Sequence, residues 1–394
     1  MTESDFVLKK YNLSNLLNGK VTWKTPSNIA LVKYWGKQEP QLPENASISF
    51  TLDACFTLTT LEYKKRTVAE RSRSLNSDSV DKMLKQVQHD GSKSTEPSRS
   101  FNFDIYFEGE KKDDFKPKIQ KFFERIEHYV SFLKDYDFVI KSRNSFPHSS
   151  GIASSASGMS ALALCIMSLE RLLSGVEMTN DYFNKKASFL ARLGSGSASR
   201  SIEGELIVWG NHPKIEGSSN LFGVKFPFKI HKKFKNYHDT ILLVDEGEKQ
   251  VSSTVGHQLM YNHPLAQQRF QQANENLSKI VEVFQNGDLK EFIAIVESEA
   301  LSLHAMMMTS NPYFILMKPN TLKIINKIWD FRAKTESNIC FTLDAGANVH
   351  VLFPEAEKEI VNNFIINELI QFCQENHYIC DRVGIGAKQL KMDN

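Results

Sequence analysis

Paired cysteines, clustered histidines and a large net charge of either sign are all missing from this 394-residue chain, whose formal net charge is +2. Its five cysteines (Cys55, Cys165, Cys340, Cys373 and Cys380) are odd in number, scattered and set mostly among apolar neighbours. That argues against a disulfide framework and against a cysteine-bound metal, so reduced, buried thiols in a cytoplasmic protein are expected. None of the eleven histidines forms an H-x-x-x-H pair, which argues against a zinc enzyme. Lysine plus arginine (48) nearly balances aspartate plus glutamate (46). Global charge therefore gives no reason to expect a nucleic-acid partner, and any anion site must be local. No uninterrupted apolar run reaches the roughly 18–20 residues a membrane span needs, so no membrane partner is expected. Residues 1–20 lack the continuous apolar core of a secretory signal and read as a polar, weakly structured arm. Aromatic residues are absent from positions 64–100, where eight serines and nine Lys/Arg stand against five Asp/Glu. Within that stretch Val80, Met83, Leu84 and Val87 fall at helical spacing, but the composition is that of a solvated insertion.

What the chain does have is core-forming material. Twenty-seven phenylalanines outnumber tryptophan and tyrosine together (15), and the length suits two domains or one large composite. Strand patterns at 47–63, 101–108, 136–142, 202–209, 240–244, 339–343 and 349–353 alternate with helical patterns at 115–133, 159–173, 179–193, 275–284, 289–307, 316–333 and 358–373. Asp53-Ala54 is a candidate turn inside the first of these strands, and Gly109-Glu110 closes a hairpin arm. The Pro/Gly/Ser/Lys-rich stretch 211–235 places a domain boundary near 215. A mixed α+β chain follows, with an N-terminal arm at 1–20 and domains at 21–215 and 216–394.

Residues 144–173 (NSFPHSSGIASSASGMSALALCIMSLERLL) carry the first chemical signal. A small-residue loop runs straight into an apolar helix, leaving backbone N–H groups and the helix N-terminus free to meet an anion. The same pattern also describes a serine-rich cap on an ordinary core helix. Two more loops of this kind follow, ARLGSGSASRS at 191–201 and VSSTVG at 251–256. Residues 28–37 (NIALVKYWGK) set Tyr34 and Trp35 between Lys33 and Lys37, either an amphipathic surface or a basic, aromatic-walled pocket edge. Residues 342–348 (TLDAGAN) put Asp344 at a strand end, as a turn carboxylate or as a catalytic acid or base.

Together NIALVKYWGK, NSFPHSSGIASSASG, ARLGSGSASRS and TLDAGAN, with VSSTVG as a weaker match, resemble the diphosphomevalonate decarboxylase family of the GHMP small-molecule kinase superfamily. The likeness runs in order from about residue 22 to the end of the chain. Pro-x-x-x-Gly-x-x-Ser-Ser-Ala alone is similar to GHMP kinases in general, whereas Lys-Tyr-Trp-Gly-Lys with Gly-Ser-Gly-Ser-Ala-x-Arg and Asp-Ala-Gly is specific to the decarboxylase branch. Residues 64–100 depart from the family in composition, and Ala347 stands where the family commonly has proline.

The resemblance implies a two-lobed GHMP kinase-like fold, with an N-terminal half like ribosomal protein S5 domain 2, a ferredoxin-like C-terminal half and the active site in the cleft between them. The implied reaction phosphorylates the tertiary 3-hydroxyl of (R)-5-diphosphomevalonate with ATP, then expels phosphate and carbon dioxide to give isopentenyl diphosphate. It makes Asp344 the group that takes the hydroxyl proton and Arg200 the partner of the substrate carboxylate. Lys33 either holds Asp344 ionised or orients the hydroxyl or the transferring phosphoryl. Substrate contacts implied by the family are Asn28, Tyr34, Trp35, Gly36, Lys37, Ser195, Gly196, Ser197, Ala198, Ser199, Arg200 and Thr254. ATP is expected over Pro147, Ser150, Gly151, Ala153, Ser154, Ser155 and Ser157, with Ser154 and Ser155 also the candidate contacts for Mg²⁺. A homodimer is expected with it. A relative acting on mevalonate or its 5-monophosphate is the alternative within the fold. A catalytically silent relative would have lost Lys33 or Asp344, and both are present.

Overall fold

The computed structural model describes residues 1–394 apart from 9, 14–15, 68–100, 148–151, 248–252 and 391–394; at 253 and 254 only the backbone is described. The helical spacing of Val80, Met83, Leu84 and Val87, the loop residues Ser150 and Gly151, and the side chain of Thr254 thus lie outside the described residues.

The first half is a sheet with helices on one face. β1 (Asn18–Val32) pairs antiparallel with β2 (Ser47–Lys65) along nearly its whole length. Burial in β2 alternates from Cys55 to Tyr63, the two-residue period of a strand with one face in the core. No turn forms at Asp53-Ala54. The register instead slips between the pairs Pro26/Phe56 and Asn28/Thr51. The extra β2 residues are held by one carboxylate, Asp381, which accepts from the N–H groups of Asp53 (2.9 Å), Ala54 (2.8 Å) and Cys55 (2.7 Å). A buried acceptor satisfies the backbone there, so the strand bulges and continues.

β3 (Asn102–Phe107) forms the short arm with residues 110–111 and lies parallel to β4 (Tyr136–Asn144). Between them runs α1 (Lys116–Ile126), shorter than the 115–133 pattern because residues 131–135 tighten into a 3-10 turn. α2 (Ser154–Ser174) and α3 (Asn180–Gly194) follow, the latter capped by Thr179, whose hydroxyl accepts from the Tyr182 N–H at 3.2 Å. α2 is long and apolar enough on average to cross a membrane, but Glu170 and Arg171 interrupt its apolar run and 83% of its most apolar 18-residue window is buried inside the molecule. Its apolar girdle faces β1, β2 and α3 rather than lipid. β5 (Leu206–Trp209) pairs with the start of β2.

In the second half β6 (His238–Leu242) is followed by α4 (Ser253–Gln258), α5 (Ala266–Asn286), α6 (Leu289–Met308) and α7 (Pro319–Thr335). Then come β7 (Cys340–Thr342), β8 (Val349–Phe353), α8 (Lys358–Phe364) and β9 (Tyr378–Arg382). These four strands form an antiparallel sheet in the order β7-β8-β6-β9. The helix expected over 358–373 is interrupted: residues 365–369 widen to a π turn and 370–372 tighten to 3-10.

Two features cross the expected boundary at 215. β10 (Lys388–Leu390) returns from the end of the chain to pair with β1 at the edge of the first sheet. One apolar cluster also joins Ile29, Leu31, Ile48 and Phe50 of the first sheet to Ile241, Leu277, Phe284, Phe292 and Val296 of the second half. The N-terminal arm is docked rather than loose. Phe6 is fully buried against Phe189 and Phe222, and Tyr11 donates its hydroxyl to Glu170 at 2.8 Å.

Candidate active site

β1 runs into the site and its irregular end aims the side chains. A second register shift between Ala30 and Val32 turns the chain so that Lys33 follows the strand with its side chain 2% exposed. Both of its backbone groups are tied: the N–H donates to Glu299 at 2.8 Å, and the carbonyl accepts from Asn45 Nδ2 at 2.9 Å. Glu299 on α6 also accepts from Asn276 (2.6 Å) and from both terminal nitrogens of Arg269, all of them buried. One buried carboxylate therefore pins α5, α6 and the end of β1 at a single point.

The Lys33 ammonium lies 3.1 Å from Asp344 Oδ1. Burial pulls the Lys33 pKa down, and Asp344 followed by Glu299 oppose that shift. The 344 backbone is fixed as well, its carbonyl accepting from His304 Nε2 at 3.1 Å. That bond puts the His304 proton on Nε2, and burial holds the imidazole neutral with its pKa lowered to about 4.

Arg200 enters from the 3-10 turn Gly196–Arg200. Its Nε donates to Asn28 Oδ1 (3.3 Å) and its Nη1 to Ser47 Oγ (2.5 Å), with the Trp209 ring 5.7 Å behind the guanidinium. Asn28 is oriented in turn by donating to Ser201 Oγ (2.7 Å) and the Ser197 carbonyl (3.2 Å). Burial lowers the Arg200 pKa to about 10, so the fork stays cationic at neutral pH. Gly196 has to be glycine. A Cβ there would lie 2.8 Å from Trp209 and 2.9 Å from the Tyr34 hydroxyl. That hydroxyl is buried and has no hydrogen-bond partner among the described residues.

These groups line one cavity of about 160 Å³. Asn28, Lys33, Tyr34, Trp35, Lys37, Ala153, Ser155, Ser195, Gly196, Ser197, Arg200 and Asp344 all border it. Lys37 donates to Gln41 at 3.1 Å. The start of α2 reaches the same space, with Ser155 Oγ 3.4 Å from Ser195 Oγ. Ser154 and Ser155 also line an adjoining apolar cavity of about 170 Å³ walled by Ile105, Phe107, Phe115, Ile140, Met159 and Leu162.

Some expected residues stand elsewhere. Ser157 is fully buried, its hydroxyl 2.6 Å from Thr57 Oγ1, so it fastens α2 to β2 instead of facing a ligand. Ala198 is in the apolar core, and Ser199 Oγ donates to the Gly196 carbonyl at 2.8 Å, closing the turn. Pro147 borders neither cavity, and Gly36 borders a third one beyond Lys37. Sequence reasoning missed Lys118 on α1, which lines both the main and the apolar cavity. It also missed His257, Gln41 and the Glu299 anchor. Lys118 lies on an amphipathic helix with no motif, and Glu299 inside an apolar helical run, so neither carried a local signal.

The chain matches a diphosphomevalonate decarboxylase-like N-terminal domain model over residues 25–96 and 90–220, and a mevalonate 5-diphosphate decarboxylase C-terminal domain model over 240–390. It is 28% identical over 352 residues to the diphosphomevalonate decarboxylase of Ganoderma lucidum, covering 87% of this chain and 80% of that one. The enzyme of the same name from Gibberella zeae is 29% identical over 343 residues (85% and 81%). Among solved structures, MDDEF in complex with MVAPP, AMPPCP and magnesium is 25% identical, with a TM-score of 0.73 over 95% of this chain and 99% of that one. With both halves matched and the Lys33, Arg200 and Asp344 side chains gathered at one cavity, this chain belongs to the diphosphomevalonate decarboxylase family.

Proposed function

We propose that this chain catalyses the ATP-dependent decarboxylation of (R)-5-diphosphomevalonate to isopentenyl diphosphate, ADP, phosphate and carbon dioxide. The observation that carries the reading is the buried Lys33–Asp344 contact (3.1 Å) in the same cavity as Arg200 and the start of α2. A tertiary hydroxyl is a poor nucleophile and hydroxide a poor leaving group. Asp344, its side chain 26% exposed, takes the 3-hydroxyl proton as the oxygen attacks the γ-phosphorus of ATP and ADP leaves. The Lys33 ammonium beside it favours the carboxylate form before the proton moves.

Arg200, held on two sides by Asn28 and Ser47, pairs with the substrate carboxylate and fixes the carbon–carbon bond to be broken. The C3–O bond then breaks toward phosphate. The electron pair of the breaking C–C bond becomes the new double bond, and carbon dioxide departs. Surrounding walls keep water from the developing positive charge at C3. Tyr34, Lys37, Ser195 and Ser197 are the groups for the diphosphate. The apolar cavity beside Ser154 suits the base of ATP, with Lys118 between the two cavities for its phosphates.

Among the described residues no cluster of three acidic, histidine or cysteine side chains exists to cage a metal. Magnesium is seldom caged by protein alone and binds through phosphate oxygens, water and one or two protein oxygens. The Ser154 and Ser155 hydroxyls and the Asp344 carboxylate fit that need. When bound, the ion neutralises charge on the phosphates. Buried thiols at Cys55, Cys165, Cys340 and Cys373 suit a reducing compartment, so we place the enzyme in the cytoplasm; a homodimer remains our expectation for its assembly.

The test offers purified protein ATP with mevalonate, its 5-phosphate or its 5-diphosphate, and follows ADP and carbon dioxide separately. Carbon dioxide from the diphosphate alone is expected. ADP without carbon dioxide would make the protein a kinase of the same fold.

A further inference from the structure

Histidine 257, on the short helix α4, has a position that none of the motifs anticipates. Its ring is 8% exposed and sits between Tyr34 and Trp35, with centroid distances of 4.3 and 4.6 Å. The main chain N–H of Gly36 donates to its Nδ1 at 3.0 Å. A main chain N–H can only donate, so Nδ1 is the acceptor and the neutral ring carries its proton on Nε2. Nε2–H has no partner among the described residues.

The ring borders the main cavity and the neighbouring cavity of about 340 Å³. The other side chain that borders both is Lys37. Burial holds the imidazole neutral, with its pKa lowered to about 3, and the charges of Lys37 and Arg200 push the same way. A fixed neutral donor thus stands next to a cation at the junction of two polar spaces.

We propose that His257 Nε2–H and Lys37 together grip the terminal phosphate of the substrate, making His257 a determinant of preference for a diphosphate over a monophosphate. This rests on the reading of function above. A neutral donor strengthens an anion site without adding another buried positive charge, which would itself have to be desolvated. The Tyr34–His257–Trp35 stack fixes the direction of the donor. Gly256 permits it, because a Cβ at 256 would fall 2.6 Å from the Trp35 ring.

Two variants separate donation from packing. In His257→Asn the side-chain oxygen takes the place of Nδ1 and still accepts from Gly36, but nothing replaces Nε2–H. In His257→Gln the amide N–H stands where Nε2–H was, while the Gly36 contact is lost. We expect His257→Asn to raise the KM for the diphosphate substrate by about tenfold or more, with the loss falling on that KM and not on kcat or the KM for ATP. His257→Gln is expected to rescue most of it. Equal damage in both variants, or an unchanged KM in His257→Asn, overturns the proposal in favour of a packing role. Parent enzyme that releases no carbon dioxide from the diphosphate removes the functional reading, and this inference with it. Parent turnover alongside an unaffected His257→Asn removes this inference alone.

Discussion

Asp344 and Tyr34 make the sharpest predictions at the level of single side chains. Asp344→Asn keeps the shape and the contact with Lys33 but has no lone pair basic enough to take the hydroxyl proton. Carbon dioxide release should fall by about 10²- to 10⁴-fold, the usual contribution of a general base, while ATP binding stays nearly intact. Single-turnover assays with equilibrium nucleotide titration check both, and substantial turnover would remove Asp344 from the role. Tyr34 carries the opposite kind of cost. Its buried hydroxyl lacks a partner among the described residues, so folding strips it of water and returns nothing until a ligand arrives. Burial accordingly raises its pKa. Tyr34→Phe should leave stability unchanged or raise it by up to about 1 kcal/mol, yet raise the KM for the diphosphate substrate by about tenfold. Urea denaturation alongside steady-state kinetics reads the two effects; a destabilised Phe variant with unaltered KM would make the hydroxyl structural.

α6 shows why some of the machinery was legible and some was not. Its helical period over 289–307 is plain in the sequence, and the observed Leu289–Met308 follows it closely. Lys33, Arg200 and Asp344 were equally readable, because each lies in a short motif whose residue types answer one chemical need. Glu299 was not readable. Its meaning comes from Arg269 and Asn276, 30 and 23 residues away, and from Lys33, 266 residues away. A charge buried in a helix announces itself only when its partners are placed. Glu299→Gln leaves the Arg269 guanidinium buried against a neutral amide, and loss of about 3–5 kcal/mol is expected. Replacing Arg269 and Glu299 together by methionine removes the stranded charge and should restore most of the stability. Turnover should be low in the double variant, since methionine at 299 offers the Lys33 N–H no acceptor. Chemical denaturation paired with carbon dioxide release tests this; recovery of both would reduce the network to a packing role.

The molecule as a whole is less divided than its sequence suggests. Length and the polar stretch at 211–235 read as two domains, and the two larger sheets among the described residues lie mainly one in each half. What local pattern could not supply was the closure between them. Phe6 opens a three-residue apolar run (Phe6-Val7-Leu8) too short to carry a periodicity, yet it fills a gap among Phe189, Phe222 and Tyr182. The three-residue β10 is too short for any periodicity signal, and only its partner β1 defines it. Gly384 and Gly386 bring it in, since a Cβ at either would meet the backbone of Leu52 or Gly204 at 2.5–2.6 Å. The apolar cluster that includes Ile29, Ile48, Ile241 and Phe284 belongs to neither half alone, and the Lys33–Glu299 and Lys33–Asp344 bonds cross the same divide. Separating the halves would expose that apolar surface and strip a buried lysine of both its carboxylate partners, so neither half is expected to be stable on its own. Thermal unfolding is therefore expected as one cooperative transition, with calorimetric and van't Hoff enthalpies equal where refolding is reversible. Two resolved transitions, or separate folding of 1–215 and 216–394 when expressed apart, would overturn this. Truncation after residue 383 removes β10 while leaving the shared cluster whole, and should lower the midpoint of that single transition without splitting it.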